Sequence, residues 1–207
     1  MSNQLETILN KEKHASLKDI FLEKSFKRFK KEYIDFKRKY KDAQWTIKTI
    51  RNDPDKILLD VKITSKREIG DQIYNLNSKQ VIKIETHKGK IKSYKVVNEE
   101  SILNTLNSPL VVEITNPDKV RTGEKYEMNL IIEKPLDNTL IASGMIVLKN
   151  NEDFYISTDQ FEIQPNKSGG LFKFIQAPLE PGYQTIAAII THQEGIYSIT
   201  KKIKVGL

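Results

Sequence analysis

The sequence of 207 residues contains no cysteine. Disulfides, thiol nucleophiles and thiolate metal sites are therefore excluded, and the composition suits a cytoplasmic protein. No apolar run approaches the roughly 18 residues that a membrane-spanning helix needs. The first residues also lack the basic and apolar regions of a secretory signal. We therefore expect a cytoplasmic protein that makes no contact with a membrane.

Motifs that carry catalysis or hold cofactors are missing as well. The three histidines, His14, His87 and His192, lie far apart and form no metal-ligand spacing. The sequence has no Walker A loop, no GxSxG nucleophile elbow and no GxGxxG pattern. We therefore predict no catalytic residue, no metal and no cofactor.

Positive charge is concentrated in the first half of the chain. Residues 1–108 contain 24 Lys and Arg against 15 Asp and Glu, a net of +9, whereas residues 109–207 contain 10 against 12, a net of −2. Six of the seven prolines also lie at or beyond Pro109. Because both shifts fall at the same place, we predict two domains, residues 1–106 and residues 107–207.

The stretch FLEKSFKRFKKEYIDFKRKY contains an apolar stripe at helical spacing. Its members follow one another at intervals of 4, 3, 4, 3 and 4 residues: Leu22, Phe26, Phe29, Tyr33, Phe36 and Tyr40. Ser16 suits the N-cap of this helix, with Asp19 three residues later. An apolar stripe usually faces a core, so we predict a helix that buries its aromatic side chains and exposes its lysines.

Alternating apolar residues predict an antiparallel sheet after this helix. In KILLDVKIT one face holds Ile57, Leu59, Val61 and Ile63. The stretches WTIKTIR, IYNLN, QVIKIET and IKSYKVV also have strand character, and turns at residues 52–55 and 87–90 connect them.

The order of helix and strands, with the ending QVIKIETHKGKIKSYKVVNEESIL, resembles the nuclear-transport-factor-2-like (SnoaL-like, cystatin-like) group over about residues 5–104. The resemblance implies an α+β fold in which a long helix packs on a curled antiparallel sheet and a pocket lies between them. Some members of this group are isomerases or hydrolases, and many bind ligands or form dimers. Tyr33 and Trp45 are the candidate pocket residues, and membership of the core is the alternative for both.

From Pro109 the pattern changes to about seven short strands separated by frequent turns, which is typical of a β-sandwich. The ending PLEPGYQTIAAIITHQEGIYSITKKIKV resembles the last two strands of bacterial immunoglobulin-like domains, and Tyr183 stands where these often have a tyrosine corner. The resemblance implies a second, all-β domain with a seven-stranded immunoglobulin-like sandwich. Such domains present edges and loops to partners.

We predict a non-catalytic binding or assembly protein that binds a protein partner, a second copy of itself or a small ligand. An isomerase or hydrolase with a helix–sheet pocket is the first alternative, implied by the resemblance. The second alternative is binding of nucleic acid or an anionic surface through Lys27, Arg28, Lys30, Lys31, Lys37 and Arg38. Residues 16–42 contain 10 basic and 5 acidic groups, a mixed face that argues against nucleic acid.

Overall fold

The computed structural model describes residues 1–12, 14–134, 140–148, 161–166 and 169–206, and only the backbone of His14. The chain divides into two compact units, Met1–Glu99 and Glu100–Leu207. This boundary lies within a strand, whereas the charge and proline shifts place the predicted domain boundary between residues 106 and 107. The division into independent domains, residues 1–106 and residues 107–207, stays a prediction.

Unit 1 begins with helices α1 (Ser2–Asn10), α2 (Leu17–Ile20) and α3 (Glu23–Lys39), with a 3₁₀ turn at His14–Ser16. The helix predicted from the aromatic stripe is therefore interrupted. Phe21 and Leu22 are extended, and the Leu22 N–H donates to the Ile91 carbonyl at 2.9 Å. Ser16 is the N-cap of α2, but its hydroxyl makes no capping hydrogen bond.

Four antiparallel strands follow in unit 1: β1 (Gln44–Asp53), β2 (Lys56–Ile69), β3 (Gln72–His87) and β4 (Lys90–Thr105). They lie side by side in chain order. β3 is continuous through Ser78 and joins the stretches IYNLN and QVIKIET in one strand. The inner faces of the strands and the aromatic side chains of α3 belong to one hydrophobic cluster, which includes Trp45, Leu59, Val61, Tyr33 and Phe29.

α1 covers the outer edge of β1. The Asn10 side chain donates from Nδ2 to the Trp45 carbonyl and accepts the Trp45 N–H at Oδ1, both at 2.8 Å. The Ile47 N–H donates to Glu6 Oε2 at 2.6 Å. Glu6 and Asn10 are four residues apart, about 6 Å along the helix, and their partners Ile47 and Trp45 are two residues apart, about 6.6 Å along the strand. Because the two spacings match, one face of α1 can follow the edge of β1. The N-terminal helix thus satisfies backbone groups that an edge strand would otherwise leave open.

Unit 2 consists of the C-terminal part of β4 and eight further described strands. They are β5 (Val112–Thr115), β6 (Lys119–Val120), β7 (Lys125–Ile132), β8 (Ile141–Leu148), β9 (Gln164–Asn166), β10 (Gly170–Gln176), β11 (Gly182–His192) and β12 (Gly195–Val205). One sheet has the order β10-β7-β5, and the other continues from β4 through β12, β11 and β8 to β9, with β6 parallel to β12. Apolar residues of both sheets form one core, including Met128, Leu130, Ile186, Ile199 and Ile203.

A buried cation lies beside this core. Lys201 of β12 is only 6% exposed. Its Nζ contacts Glu100 Oε2 at 2.7 Å and Asp118 Oδ1 at 3.4 Å. Burial raises the pKa of the nearby Tyr197 hydroxyl to about 12, and the charge of Glu100 adds to the shift.

The predicted fold class is wrong. β1–β4, β12, β11, β8 and β9 are consecutive neighbours in one nine-stranded sheet that also includes β6. The chain is mainly strand with a short N-terminal helical region, not a long helix on a curled sheet followed by a separate immunoglobulin-like sandwich. The resemblances to the nuclear-transport-factor-2-like group and to immunoglobulin-like domains are therefore not upheld. The physical reason is β4, which runs past the β3–β4 hairpin and becomes a neighbour of β12.

Candidate functional site

Tyr33 and Trp45 are packed in the core of unit 1. They are 5% and 7% exposed, and their ring centroids are 5.5 Å apart. The Tyr33 hydroxyl donates to the Leu9 carbonyl at 2.9 Å. Burial raises the pKa of this hydroxyl to about 12, and the charge of Glu12 adds to the shift. Two open surface grooves, of about 280 and 330 Å³, are lined by other residues. A ligand role for the two aromatics stays a prediction.

Several basic residues of α3 form ion pairs with acidic neighbours. Four of the six predicted anion-binding side chains have an ion pair, namely Lys27–Glu23 at 2.8 Å, Arg28–Glu32 at 2.9 Å, Lys37–Glu12 at 2.7 Å and Arg38–Asp35 at 3.1 Å. Lys30 lies 5.8 Å from the centroid of the Phe26 ring, and Lys31 is exposed. The charge available to an external anion on α3 is therefore smaller than the sequence suggested.

Metal-binding geometry is absent from the part of the chain that the structure describes, since no three His, Asp or Glu residues come together there. His14, His87 and His192 lie in separate elements. His192 Nδ1 accepts the Glu194 N–H at 3.1 Å, a contact within the β11–β12 turn. The absence of cofactors and of catalysis stays a prediction.

β10 lies at one edge of the three-stranded sheet of unit 2. This strand pairs with β7 and has no second neighbour among the described strands. Gly170 begins it because a Cβ there would lie 2.3 Å from the Leu130 carbonyl oxygen. Phe172 and Phe174 are 51% and 78% exposed, although large aromatic side chains are usually buried.

The hydrogen-bond pattern shows which backbone groups of β10 face outward. The Ile132 N–H donates to the Gly169 carbonyl, and the Ala177 N–H donates to the Glu124 carbonyl, so odd-numbered residues bond to β7. In an antiparallel pair, the even-numbered residues then direct their N–H and C=O groups away from β7.

Side chains cap both ends of this outward row. The Gly170 carbonyl accepts from Asn166 Nδ2, and the Gln176 carbonyl accepts from Gln184 Nε2 at 3.1 Å. Between them, the outward groups of Phe172 and Phe174 have no partner among the described residues. Within the described part of the chain, two N–H and two C=O groups are therefore open at the centre of β10.

A groove of about 280 Å³ lies beside this open row. It is lined by Met145, Val147, Lys173, Phe174, Ile175 and Gln176. Met145 and Val147 belong to β8, so the groove is lined by residues of β8 in one sheet and of β10 in the other. Its surface combines apolar side chains with one cation, Lys173, that makes no ion pair with any described residue.

The stretch LFKFIQA has the pattern of a strand, but the sequence does not show that this strand is an edge. Phe172 and Phe174 alternate with Leu171, Lys173 and Ile175, a pattern that fits a buried strand equally well. The tripeptide FKF could have indicated an exposed strand, because a basic residue between two aromatic residues is unusual on a strand that is buried on both faces.

The comparisons with known proteins leave the function of the chain open. A family model described as Domain of unknown function (DUF8623) matches residues 107–206, slightly less than half of the chain. No curated protein matches the sequence. None of the described helices is long and apolar enough to cross a membrane. Function therefore has to be argued from the surfaces themselves.

Proposed function

We propose that this protein is a non-catalytic binding module that adds an extended segment of a partner protein to the free edge of β10. The open backbone groups of Phe172 and Phe174 carry the proposal. An added strand saturates such groups with a regular ladder and places alternate side chains in neighbouring grooves. The recognised segment would extend β10 as a fourth strand of the three-stranded sheet.

The groove indicates the chemistry of this segment. Residues that face the groove would meet Met145, Val147 and Lys173, so apolar side chains and one acidic side chain suit them. Other positions of the segment would lie beside Phe172 and Phe174, where aromatic or β-branched side chains form favourable cross-strand pairs. The groove is open and smaller than most small-molecule sites, which favours a strand over a small ligand.

A second copy of the chain suits this edge less well. In the antiparallel self-pairing centred on Lys173, the two lysines stand directly opposite each other, which is destabilising. Centring the pair on Phe172 or Phe174 places Gly170 or Gln176 of the other copy in the ladder, and their carbonyls already have partners. A different protein that supplies an acidic residue is therefore the favoured occupant.

Peptide selection tests the proposal. Peptides of about eight residues, the length of an ordinary strand, would be selected from a random library on the whole protein. We expect the enriched sequences to contain alternating apolar residues and an acidic residue. Fluorescence polarisation then measures the dissociation constant of each selected peptide. Methylating alternate peptide nitrogens should abolish binding, because it removes the donors of the ladder.

The control variants separate the edge from general stickiness. Phe172→Thr/Phe174→Thr keeps strand propensity and should weaken binding at least tenfold. Leu179→Thr removes an equally exposed apolar side chain (84%) outside β10 and should leave binding unchanged. Equal binding to all three proteins, or equal binding of methylated and unmethylated peptides, would show that the proposal is wrong.

A further inference from the structure

The outer face of β1–β3 in unit 1 carries lysines whose ammonium groups make no ion pair with any residue that the structure describes. The strand register places Thr46, Lys62 and Lys79 in one row across the three strands. The adjacent row consists of Gln44, Thr64 and Asn77. All six side chains are exposed, and these two rows contain no acid.

The central pair of this face is electrostatically unfavourable. Lys62 and Lys79 are directly opposite on neighbouring strands, an arrangement of like charges that destabilises a sheet. Lys48 lies in the next row on one side of the two central rows, and Lys66 lies in the next row on the other side. We call Lys48, Lys62, Lys66 and Lys79 the lysine face; none of the four has an ion pair with a described residue. Two acids accompany them: Asp60 is opposite Lys48, and Asp42 accepts the Lys66 backbone N–H at 3.2 Å, which leaves a net charge of +2, from four lysines and two aspartates.

We propose that the lysine face binds the phosphate backbone of duplex nucleic acid, independently of base sequence. Lysine ammonium groups with threonine, asparagine and glutamine side chains are the usual donors to phosphate oxygens. Four residues of strand separate Lys62 from Lys66, about 13 Å. At about 3.4 Å of axis per phosphate on one strand, the face would span about four phosphates.

Other partners fit this face less well. Protein interfaces are depleted of lysine at their cores and need apolar or aromatic anchors, and the two central rows contain none. Single-stranded nucleic acid is held by stacking on exposed aromatic side chains, which these rows also lack. Acidic membranes are recognised by clusters of about four to eight cations, and the four lysines here, accompanied by two aspartates, lie only at the lower end of that range.

Salt-dependent binding to a DNA duplex of about 20 base pairs tests the proposal. Fluorescence anisotropy at several KCl concentrations gives the slope of log K against log salt, and four phosphate contacts predict a slope of about −3.6. Lys62→Gln/Lys79→Gln should reduce the steepness by about 2 and weaken binding by tenfold or more at low salt. Lys11→Gln/Lys24→Gln removes the same charge from the helical region and should leave the slope unchanged.

Two further measurements decide between sources of the anion. Vesicles containing phosphatidylserine should bind the wild type no more tightly than they bind Lys62→Gln/Lys79→Gln. If these two lysines instead strengthen binding to vesicles and have no effect on binding to the duplex, the proposal is overturned. A slope that depends on Lys30→Gln/Lys31→Gln, and not on Lys62 and Lys79, would place the site on α3 and overturn it too. The double variant should be at least as stable as the wild type, because it removes the like-charge pair.

Discussion

Replacing Asn10 by alanine should loosen α1 from the edge of β1. The change removes two hydrogen bonds of 2.8 Å to the backbone of Trp45, one donated and one accepted. A hydrogen bond contributes about 0.5–1.5 kcal/mol net, and the Trp45 groups are only partly buried, so water can replace part of the loss. We therefore expect the free energy of unfolding of unit 1 to fall by about 2 kcal/mol.

Tryptophan fluorescence during urea unfolding measures this effect, because Trp45 is the single tryptophan and lies in unit 1. With a slope of about 1–3 kcal/mol per molar urea, the midpoint should fall by about 1 M. Asn3→Ala is the matched control, since Asn3 is exposed on the same helix and its substitution brings a similar gain in helix propensity. Identical midpoints for the two variants would refute the role assigned to Asn10.

Two further predictions concern buried polar groups. Lys201→Met should lower the stability of unit 2 by about 2 kcal/mol, which is less than the loss of a fully buried ion pair because Glu100 is about one-third exposed. Lys201→Met/Glu100→Leu should recover most of this stability, measured by chemical unfolding followed by circular dichroism. If the double variant recovers none of it, the ion pair does not have the role assigned to it. Tyr33 has a folded pKa of about 12 against an ordinary value of 10, so its contribution is complete below pH 10 and is lost as the pH rises through 12. At about 1.4 kcal/mol per pKa unit, the stability of unit 1 should therefore fall by about 3 kcal/mol across this range. Tyr33→Phe should show a shallower fall, whereas equal slopes would argue against a buried Tyr33 hydroxyl.

Local structure was readable from the sequence where it depends on nearby residues. The alternation in KILLDVKIT predicted the buried face of β2, and Ile57, Leu59, Val61 and Ile63 are all buried. The aromatic stripe likewise predicted a packing face, which α3 presents to the core. The break at Phe21 was missed, because it depends on a hydrogen bond to Ile91, some 70 residues away.

The sheet order could not be read in the same way. Periodicity shows which face of a strand is apolar, but it does not show which strand is its neighbour. β4 and β12 each look like the second strand of a hairpin, so the sequence suggested that each closes its own domain. Their adjacency in one sheet is a long-range pairing that leaves no local signal.

The candidate surfaces were hidden for a related reason. The sequence showed many cations near α3 but not that four of them form ion pairs, one of them with an acid outside the helix, as Glu12 does with Lys37. It showed Lys62 and Lys79 as isolated lysines, and only the register places them opposite each other. The cytoplasmic location, the lack of catalysis and the ligand role of Tyr33 stay predictions.

The position of β12 determines the order in which the protein can fold during synthesis. This strand lies between β4 and β11, pairs with β6 as well, and supplies buried side chains such as Ile199 and Ile203. A ribosome makes residues 195–205 after every other strand of unit 2, so the earlier strands wait without the neighbour that completes their sheet and core. Unit 1 instead forms from consecutive hairpins, each of which can close as soon as it is made. Nascent chains that stall before β12 would therefore display a folded unit 1 followed by strands with open edges, the form of the chain most exposed to chaperones and proteases.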